Sequence, residues 1–351
     1  MKAAVVYGAD DIRIEDYADP VAGPGEVVVA TKVAGICGKD VKTMLGQGLT
    51  EDLPAVLGHD ISGEISEVGE GIQGFSVGDP VAVYPMAVCG TCYYCLRKRY
   101  NLCEKSLGLG HGLDGTFAEY VRVPKEIINV GGLVKLDDEI SFEDAVMAEP
   151  LSCTFAAARA NRMKEGQTVL VIGGGSMGLM HLKTAKWSGC EVIVADIVDM
   201  RLTMAGQMGA DHLINSASSG KLQDEVMRIT DGRGADVVII SIGIPDVIED
   251  CLKLVAKGGV CNIFGAAPDT EVKIDPRWLH HQEITLTGTY ASTPADFKKC
   301  LQLIKEEAII VSDLISHRFT LDTFDEAMER AKSLEMVRGV ITFGEMLSVS
   351  F

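Results

Sequence analysis

The chain has 351 residues, of which 47% are hydrophobic and 23% are charged, as in an ordinary globular protein. At roughly 150 residues per domain, this length predicts about two domains. The 32 Lys+Arg against 50 Asp+Glu give a net charge of −18. Phosphate backbones and anionic lipids repel such a chain, so we expect no nucleic-acid and no membrane partner. Acidic residues follow the first Met too early for a signal peptide, and we expect a cytoplasmic protein.

Residues 1–151 are predicted to be rich in β-strand. Short β-branched runs at 26–30 and 80–84 are bounded by Gly, Pro and Asp. Glycines recur through residues 58–78, which is typical of the closely spaced turns of a barrel-like β fold.

Residues 152–290 have a different pattern, in which apolar runs alternate with helical segments. Such strands predict a parallel sheet covered by helices on both faces. The tail 291–351 returns to helix and strand, with a final predicted strand at 339–343. The five apolar runs lie at 168–172, 191–195, 237–241, 259–263 and 284–287.

Gly173, Gly175 and Gly178 follow the first of these runs at the spacing of a dinucleotide-binding loop. The first glycine allows a tight turn, the second lets a pyrophosphate approach the backbone, and the third lets helix pack on strand. Ser176 and Met177 stand at the N-terminus of the helix, where free N–H groups and the helix dipole attract phosphate.

Asp196 ends the next apolar run, 23 residues after Gly173. A carboxylate at this position accepts hydrogen bonds from the ribose 2′-OH of NAD and repels the extra phosphate of NADP. We therefore predict NAD as the cofactor. Arg201 either stacks on the adenine or is a solvated helix residue, and it leaves the use of NADP open.

Four cysteines crowd into fifteen residues, a spacing that favours a metal over disulfides in a reducing cytosol. Four thiolates saturate tetrahedral zinc and leave no open position, which predicts a structural site. An iron–sulfur cluster is the alternative that the ligand chemistry allows. The members of this cysteine quartet are Cys89, Cys92, Cys95 and Cys103.

Cys37, His59 and Glu149 are potential ligands of a second metal. Each also has an ordinary role open to it, as a core thiol, a structural imidazole or a helix-end charge. Their spacing does not show that they converge. Three mixed N, S and O ligands with a water would make a catalytic zinc site with an open position.

The chain resembles the zinc-dependent medium-chain dehydrogenases over essentially its whole length. The E-P-L form at 149–151 is most similar to the branch of sorbitol, threonine and sugar-alcohol dehydrogenases. The motifs that carry the resemblance are G-I-C-G-x-D at 35–40, G-H-D-x-x-G at 58–63, A-E-P-L at 148–151, the cysteine quartet, and the glycine loop with Asp196.

The resemblance implies an α/β chain with a GroES-like catalytic domain at 1–151 and a structural-zinc lobe at about 89–103. It implies a doubly wound Rossmann domain at 152–290 and the return of 291–351 to the catalytic domain. It also implies a homodimer or homotetramer. A catalytic zinc is then bound by Cys37 and His59, with Asp60 and Glu149 at the positions of the acidic ligands. The nicotinamide lies near Ser241, Ile242, Gly265 and Thr289.

Two residues depart from the family pattern. Asp60 stands where Glu is usual, and its reach is shorter by about 1.5 Å, so ligation by residue 60 is left open. Lys39 stands where a Ser or Thr usually relays the substrate proton. It could act as a general acid or base, hold an anionic or hydroxylated substrate, or point away. Lys42, three residues further on, makes the predicted rim more basic.

We predict a zinc-dependent oxidoreductase that transfers a hydride between NAD and a secondary alcohol of a polyol, a sugar acid or an amino alcohol. The small-molecule substrate could be anionic. One alternative is a redox-neutral enzyme that couples transient oxidation to elimination or epimerisation, with Lys39 as acid/base. A metal-free reductase and a non-enzymatic nucleotide-binding protein are two further alternatives, and Cys37, His59 and the cysteine quartet argue against the first of them.

Overall fold

The computed structural model describes residues 1–46, 53–217, 221–266, 271–333 and 336–344. The chain divides into two compact units. Unit 1 comprises Met1–Glu149 together with Ser292–Phe351, and unit 2 comprises Pro150–Ala291. No helix within the described ranges combines the length and the apolarity that crossing a bilayer requires.

The strands of the described residues are numbered in chain order. They are β1 (Lys2–Gly8), β2 (Asp11–Asp16), β3 (Val27–Ile36), β4 (Ala55–Val56), β5 (Asp60–Val68), β6 (Pro80–Val83), β7 (Met86–Ala87), β8 (Leu107–Leu109), β9 (Gly112–Leu113), β10 (Tyr120–Val123), β11 (Leu133–Lys135), β12 (Thr168–Ile172), β13 (Glu191–Asp196), β14 (His212–Asn215), β15 (Ala235–Ile240), β16 (Val255–Ile263), β17 (Thr285–Gly288), β18 (His317–Phe319) and β19 (Gly339–Thr342).

The α-helices are numbered in the same way, and short 3-10 turns lie at Cys95–Arg97, Tyr100–Leu102, Ser312–Leu314 and Leu321–Thr323. The α-helices are α1 (Gly38–Met44), α2 (Lys125–Ile128), α3 (Phe142–Val146), α4 (Ala148–Ala160), α5 (Ser176–Trp187), α6 (Asp199–Gln207), α7 (Lys221–Ile229), α8 (Pro245–Leu252), α9 (Pro276–Gln282), α10 (Pro294–Lys305) and α11 (Phe324–Lys332).

Strand β3 is the centre of unit 1. It pairs antiparallel with β5 along most of its length. Its remaining edge pairs first with β10 and then with β19. The strand is almost entirely buried, because its β-branched residues pack into the core on both faces. The C-terminal strand β19 therefore lies directly beside the end of β3 that leads into Cys37.

Unit 2 is built on a parallel sheet with the order β14-β13-β12-β15-β16-β17. All five residues of β12 are buried, as the unbroken apolar run predicts. The strand order reverses between β12 and β15, which defines a doubly wound sheet with its ligand-binding edge at the carboxyl ends of these strands. The predicted fold class is confirmed. Strand β14 was not predicted, because Leu213 and Ile214 are the only apolar residues in it.

Candidate metal and dinucleotide sites

His59, Asp60 and Glu149 come together in unit 1, where a ligand atom from each lies within 4.8 Å of the others. His59 immediately precedes β5, Asp60 begins that strand, and Glu149 lies in the first turn of α4. Asp60 is fully buried, and the His59 side chain is 17% exposed. Residues about ninety positions apart in the sequence thus meet in one partly accessible cluster.

Cys37 and Asp40 complete the surroundings of His59. Cys37 is the N-cap of α1, and its thiol hydrogen-bonds His59, although it is not a member of the 4.8 Å set. The backbone N–H of Cys37 donates to Asp40 Oδ2 at 2.9 Å, and Asp40 Oδ1 lies 3.5 Å from His59 Nδ1. Because Nδ1 faces Asp40, Nε2 is the ring nitrogen left for a metal.

A buried ion pair joins Asp60 of this cluster to Arg338. Arg338, just before β19, donates through Nη2 to Asp60 Oδ2, and both side chains are almost inaccessible. Gly35 of β3 lies between them, and a Cβ there would stand 2.8 Å from Asp60 Oδ2 and 2.9 Å from Arg338 Nη2. The missing side chain of Gly35 therefore leaves room for the pair. The sequence reasoning did not identify Arg338, since no local motif marks it.

The electrostatics of the cluster suit a cation. Asp60 Oδ1 is buried, has no hydrogen-bond donor within the described residues, and lies 3.7 Å from His59 Nε2. Burial, together with the charge of Asp60, raises the pKa of Glu149 to about 8. Burial opposes protonation of His59, but the charges of Asp60 and Asp40 outweigh it and raise its pKa well above the usual range. These N, O and S donors fit zinc, which would replace the protons that the cluster otherwise retains.

The cysteine quartet is a separate cluster in unit 1, and its four sulfurs all lie within 4.8 Å of one another. Cys89 Sγ lies 3.9 Å from Cys95 Sγ and 3.6 Å from Cys103 Sγ, close to the ~3.8 Å edge of a tetrahedral zinc–thiolate site. The backbone N–H groups of Thr91 and Cys92 lower the pKa of Cys89 to about 6. Backbone N–H groups also lower the pKa of Cys92, whereas burial raises the pKa of Cys95 to about 12. The loop thus stabilises thiolates at Cys89 and Cys92, and a bound cation would be needed to hold Cys95 as a thiolate.

The glycine loop of unit 2 has the geometry that its spacing predicts. Gly173 has a φ of +94°, in the left-handed region. A Cβ on Gly178 would lie 1.7 Å from the Gly173 carbonyl oxygen, so α5 packs directly on the turn. A Cβ on Gly175 would meet nothing within 4 Å, which leaves this side of the loop open.

Asp196, the last residue of β13, is fixed against this loop. Its Oδ2 accepts the Gly174 N–H at 2.6 Å, and its Oδ1 accepts the Val198 N–H at 2.8 Å. Arg201 Nη1 lies 3.7 Å from Asp196 Oδ2. The carboxylate stands where dinucleotide-binding sheets of this type hold an adenosine ribose.

Other predicted cofactor residues line the same sheet edge. The hydroxyls of Ser176 and Ser241 are buried, and neither has a hydrogen-bond partner within the described residues. A Cβ on Gly173 would lie 2.6 Å from Ile242 Cγ2, and a Cβ on Gly265 would lie 2.6 Å from the Ile242 backbone. Crowded glycines beside unsatisfied hydroxyls fit a bound dinucleotide.

Thr289 and Met177 lie less directly at this edge. Thr289 Oγ1 donates to Asn262 Oδ1 at 3.2 Å, and Asn262 Nδ2 donates to Asn161 Oδ1 at 2.7 Å. Met177 is half-buried in the first turn of α5. Asn262, a fully buried amide in β16, was not predicted.

Lys39 and Lys42 are exposed on α1. Lys39 makes no hydrogen bond or ion pair with His59 or Glu149 in the part of the chain that the structure describes. The structure thus brings Cys37, His59, Asp60 and Glu149 together and leaves Lys39 outside their contacts.

Two family models match the chain: an alcohol dehydrogenase GroES-like domain at residues 23–138 and a zinc-binding dehydrogenase at 176–306. A sorbitol dehydrogenase of Halalkalibacterium halodurans is 32% identical over 97% of this chain and 99% of its own length. A D-arabitol-phosphate dehydrogenase of Enterococcus avium is 32% identical over 92% of this chain and 91% of its own. An alcohol dehydrogenase of Escherichia coli CFT073 complexed with NADH superposes with a TM-score of 0.90, at 27% identity over 98% of this chain and 99% of its own.

The chain belongs to the zinc-dependent medium-chain dehydrogenases, in the polyol dehydrogenase branch. It is a zinc-dependent alcohol or polyol dehydrogenase with a nicotinamide dinucleotide as cofactor, which confirms the predicted enzyme class. The relatives reported above are dehydrogenases by name, and they give the redox-neutral alternative no support.

Proposed function

We propose that the protein uses NAD rather than NADP to oxidise a secondary alcohol of a polyol, a sugar acid or an amino alcohol. The observation that carries the choice of NAD is Asp196, whose buried carboxylate is held by two backbone N–H groups beside the glycine loop. A ribose 2′-OH donates to such a carboxylate, whereas a 2′-phosphate is repelled by it. Arg201 lies close to Asp196 and would stack on the adenine.

The backbone around Gly173, Gly175 and Gly178 binds the pyrophosphate in this proposal. Ser176 Oγ donates to a phosphate oxygen, which satisfies a buried hydroxyl that otherwise has no partner. Ser241 Oγ gains a partner in the same way at the neighbouring strand end. The residues assigned to the rest of the cofactor are Met177, Ile242, Gly265 and Thr289.

At the His59 cluster, Cys37, His59 and Glu149 hold the catalytic zinc, with Asp60 Oδ1 available as a further oxygen ligand. When bound, the zinc polarises the substrate oxygen and lowers the pKa of the alcohol. Asp40 holds the imidazole so that Nε2 faces the metal. Arg338 fixes the orientation of Asp60 through its hydrogen bond to Oδ2.

The cysteine quartet is assigned the structural zinc. Four sulfur ligands leave no position for substrate, and the local hydrophobic cluster has few fully buried members, Val88, Cys95 and Cys103. The metal therefore replaces an apolar core in this lobe.

The names of two relatives support the polyol part of the proposed substrate class. Sorbitol and arabitol phosphate, which name two relatives, both carry several secondary hydroxyls. We also propose that the chain divides into domains at 1–151, 152–290 and 291–351, and that the protein is cytoplasmic. We further propose that it forms a homodimer or a homotetramer, and sedimentation measurements would distinguish the two.

Reduction of NAD⁺ by zinc-loaded protein tests the function directly. A panel of neutral polyols, sugar phosphates, sugar acids and amino alcohols should contain one class that yields NADH, with much weaker reduction of NADP⁺. Cys37→Ser should abolish that signal. NADP⁺ used as efficiently as NAD⁺ would contradict the choice of cofactor. Substrate conversion without net NADH would contradict the dehydrogenase reaction itself.

A further inference from the structure

Asn262 is a fully buried amide near the carboxyl end of β16 in unit 2. In the sheet it pairs with Ile239 of β15 and with Thr287 of β17. The residues on either side of it, Cys261 and Ile263, pack into the apolar core of this unit. A buried amide costs free energy unless its N–H and C=O groups are hydrogen-bonded, so its partners indicate why it is there.

The side-chain amide of Asn262 has partners on two other elements of the same unit. Its Nδ2 donates to Oδ1 of Asn161 at 2.7 Å, and Asn161, which is 2% exposed, directly follows α4. Its Oδ1 accepts from Oγ1 of Thr289 at 3.2 Å, and Thr289 directly follows β17. The amide is held in one orientation, because its donor and its acceptor face different partners.

The direction of these hydrogen bonds determines what the Thr289 hydroxyl can offer to a ligand. A threonine hydroxyl has one proton and two lone pairs. Because this proton points to Oδ1 of Asn262, Oγ1 of Thr289 faces any further group as an acceptor only. Thr289 is half-buried, so a ligand can reach the remaining lone pair. The arrangement thus favours a ligand that donates a hydrogen bond at this place.

Thr289 and Asp196 lie on opposite sides of the point at which the strand order of the sheet reverses. Asp196 ends β13 on one side of the pair β12 and β15, and Thr289 follows β17 on the other side. A dinucleotide lies across such a point, with one nucleotide on each side. In the proposed function Asp196 binds the adenosine ribose, so the nicotinamide half belongs on the side of Thr289. The carboxamide NH2 is the N–H donor of that half.

We infer that Asn262 is a positioning residue for the cofactor, which orients the Thr289 hydroxyl to accept a hydrogen bond from the carboxamide NH2 of the nicotinamide. This inference rests on the proposed function. A carboxamide turned the other way would place its C=O against a second acceptor, which is unfavourable. Asn262, held by Asn161, therefore acts through Thr289 and selects the rotation of the carboxamide.

Binding of reduced cofactors to the full-length protein tests this inference without substrate. The probe is the reduced 3-acetylpyridine analogue of NADH, in which a methyl group replaces the carboxamide NH2 and the adenosine half is unchanged. Calorimetry should show NADH binding about tenfold more tightly than this analogue. Thr289→Val should reduce this ratio to about one, and Thr289→Ser, which keeps a hydroxyl, should retain most of it. Thr285→Val, which changes an exposed threonine of β17, is the matched control and should keep the wild-type ratio.

Asn262→Leu tests the positioning step itself. Without Oδ1 of Asn262, the Thr289 hydroxyl is free to donate to the acetyl oxygen of the analogue, so the ratio should fall to about threefold or less. Thr289→Val tests the inference even where Asn262→Leu does not fold, since Thr289 is only half-buried. A ratio near one in the wild type, or a ratio that Thr289→Val or Asn262→Leu leaves unchanged, would overturn the inference and leave the proposed function standing. A wild type that binds neither dinucleotide would contradict the proposed function as well.

Discussion

The two metal sites of unit 1 are assembled in opposite ways. The cysteine quartet takes its four ligands from fifteen consecutive residues, and all of them are thiols. The His59 cluster takes its groups from the start of α1, the start of β5 and the start of α4, and its charges are balanced by Arg338 from the far end of the chain. The first site depends on a local loop, whereas the second depends on the assembled sheet.

This difference has a functional consequence. Four equivalent sulfurs close a tetrahedral site, which suits a structural ion. A mixed set held by several elements keeps one side open, and the His59 side chain is 17% exposed. The predictions below test whether stability and chemistry divide between the two sites in this way, and they run from the largest expected effect to the smallest.

Removal of one quartet ligand should produce the largest loss of stability. Cys95→Ser should lower the free energy of unfolding by about 4 kcal/mol or more, because the lobe has little apolar core without its metal. Denaturant titration of the zinc-loaded protein measures this. Cys190→Ser is the matched control, since a hydroxyl can replace the thiol that donates to the Lys164 carbonyl. Equal losses in both variants would contradict a structural role for the quartet.

Removal of a ligand from the His59 cluster should affect chemistry first. Cys37→Ser should lower kcat/KM by about a thousandfold, or ~4 kcal/mol, because the substrate oxygen loses its Lewis acid. Stability should change much less than in Cys95→Ser, since Cys37 is only partly buried. Kinetics and denaturation of the same preparation give both values. Retained activity would exclude Cys37 from the catalytic set.

Removal of one partner of the buried ion pair between Arg338 and Asp60 should lower the stability of the protein as well as disturb the His59 cluster. Arg338→Met leaves Asp60 charged and fully buried, which should lower stability by about 3 kcal/mol. The double variant Arg338→Met with Asp60→Asn removes both charges and should recover much of that loss. A double variant as unstable as Arg338→Met would show that packing, rather than the charge of Asp60, decides the effect.

Asp196→Ala should have the smallest effect of the four and should act through the cofactor alone. Loss of the charged acceptor should raise KM for NAD⁺ about tenfold to a hundredfold, and loss of repulsion should improve the use of NADP⁺. Binding of NADH and NADPH by fluorescence measures this without substrate. An unchanged preference would mean that Asp196 only positions Gly174 and Val198.

The sequence predicts the features that a short stretch of residues forms, and it predicts less well those that combine residues from distant elements. Spacing identifies the cysteine quartet and the glycine loop, and apolar runs identify five parallel strands, because each of these features lies within a short stretch of the sequence. Strand β14 has two apolar residues in four and gives no such signal. The sequence supplies candidates for the His59 cluster but not their convergence.

Arg338 and Gly35 show most clearly what local reasoning misses. Nothing near Arg338 distinguishes it from a surface arginine, because its burial depends on β19 pairing with β3. Gly35 resembles any strand glycine until the structure places Asp60 and Arg338 on either side of it. Asp40 could have been suspected, since an acid at N3 of a helix whose N-cap is a candidate ligand is suited to orient that ligand.

The central claim, that one site is structural and the other catalytic, is tested most directly by zinc content measured together with NAD⁺ reduction in wild type and His59→Ala. We expect two zinc ions and NADH formation from the wild type, and one remaining zinc ion with no NADH from a folded His59→Ala variant. A folded variant that keeps one zinc ion and still forms NADH at the wild-type rate would contradict the account.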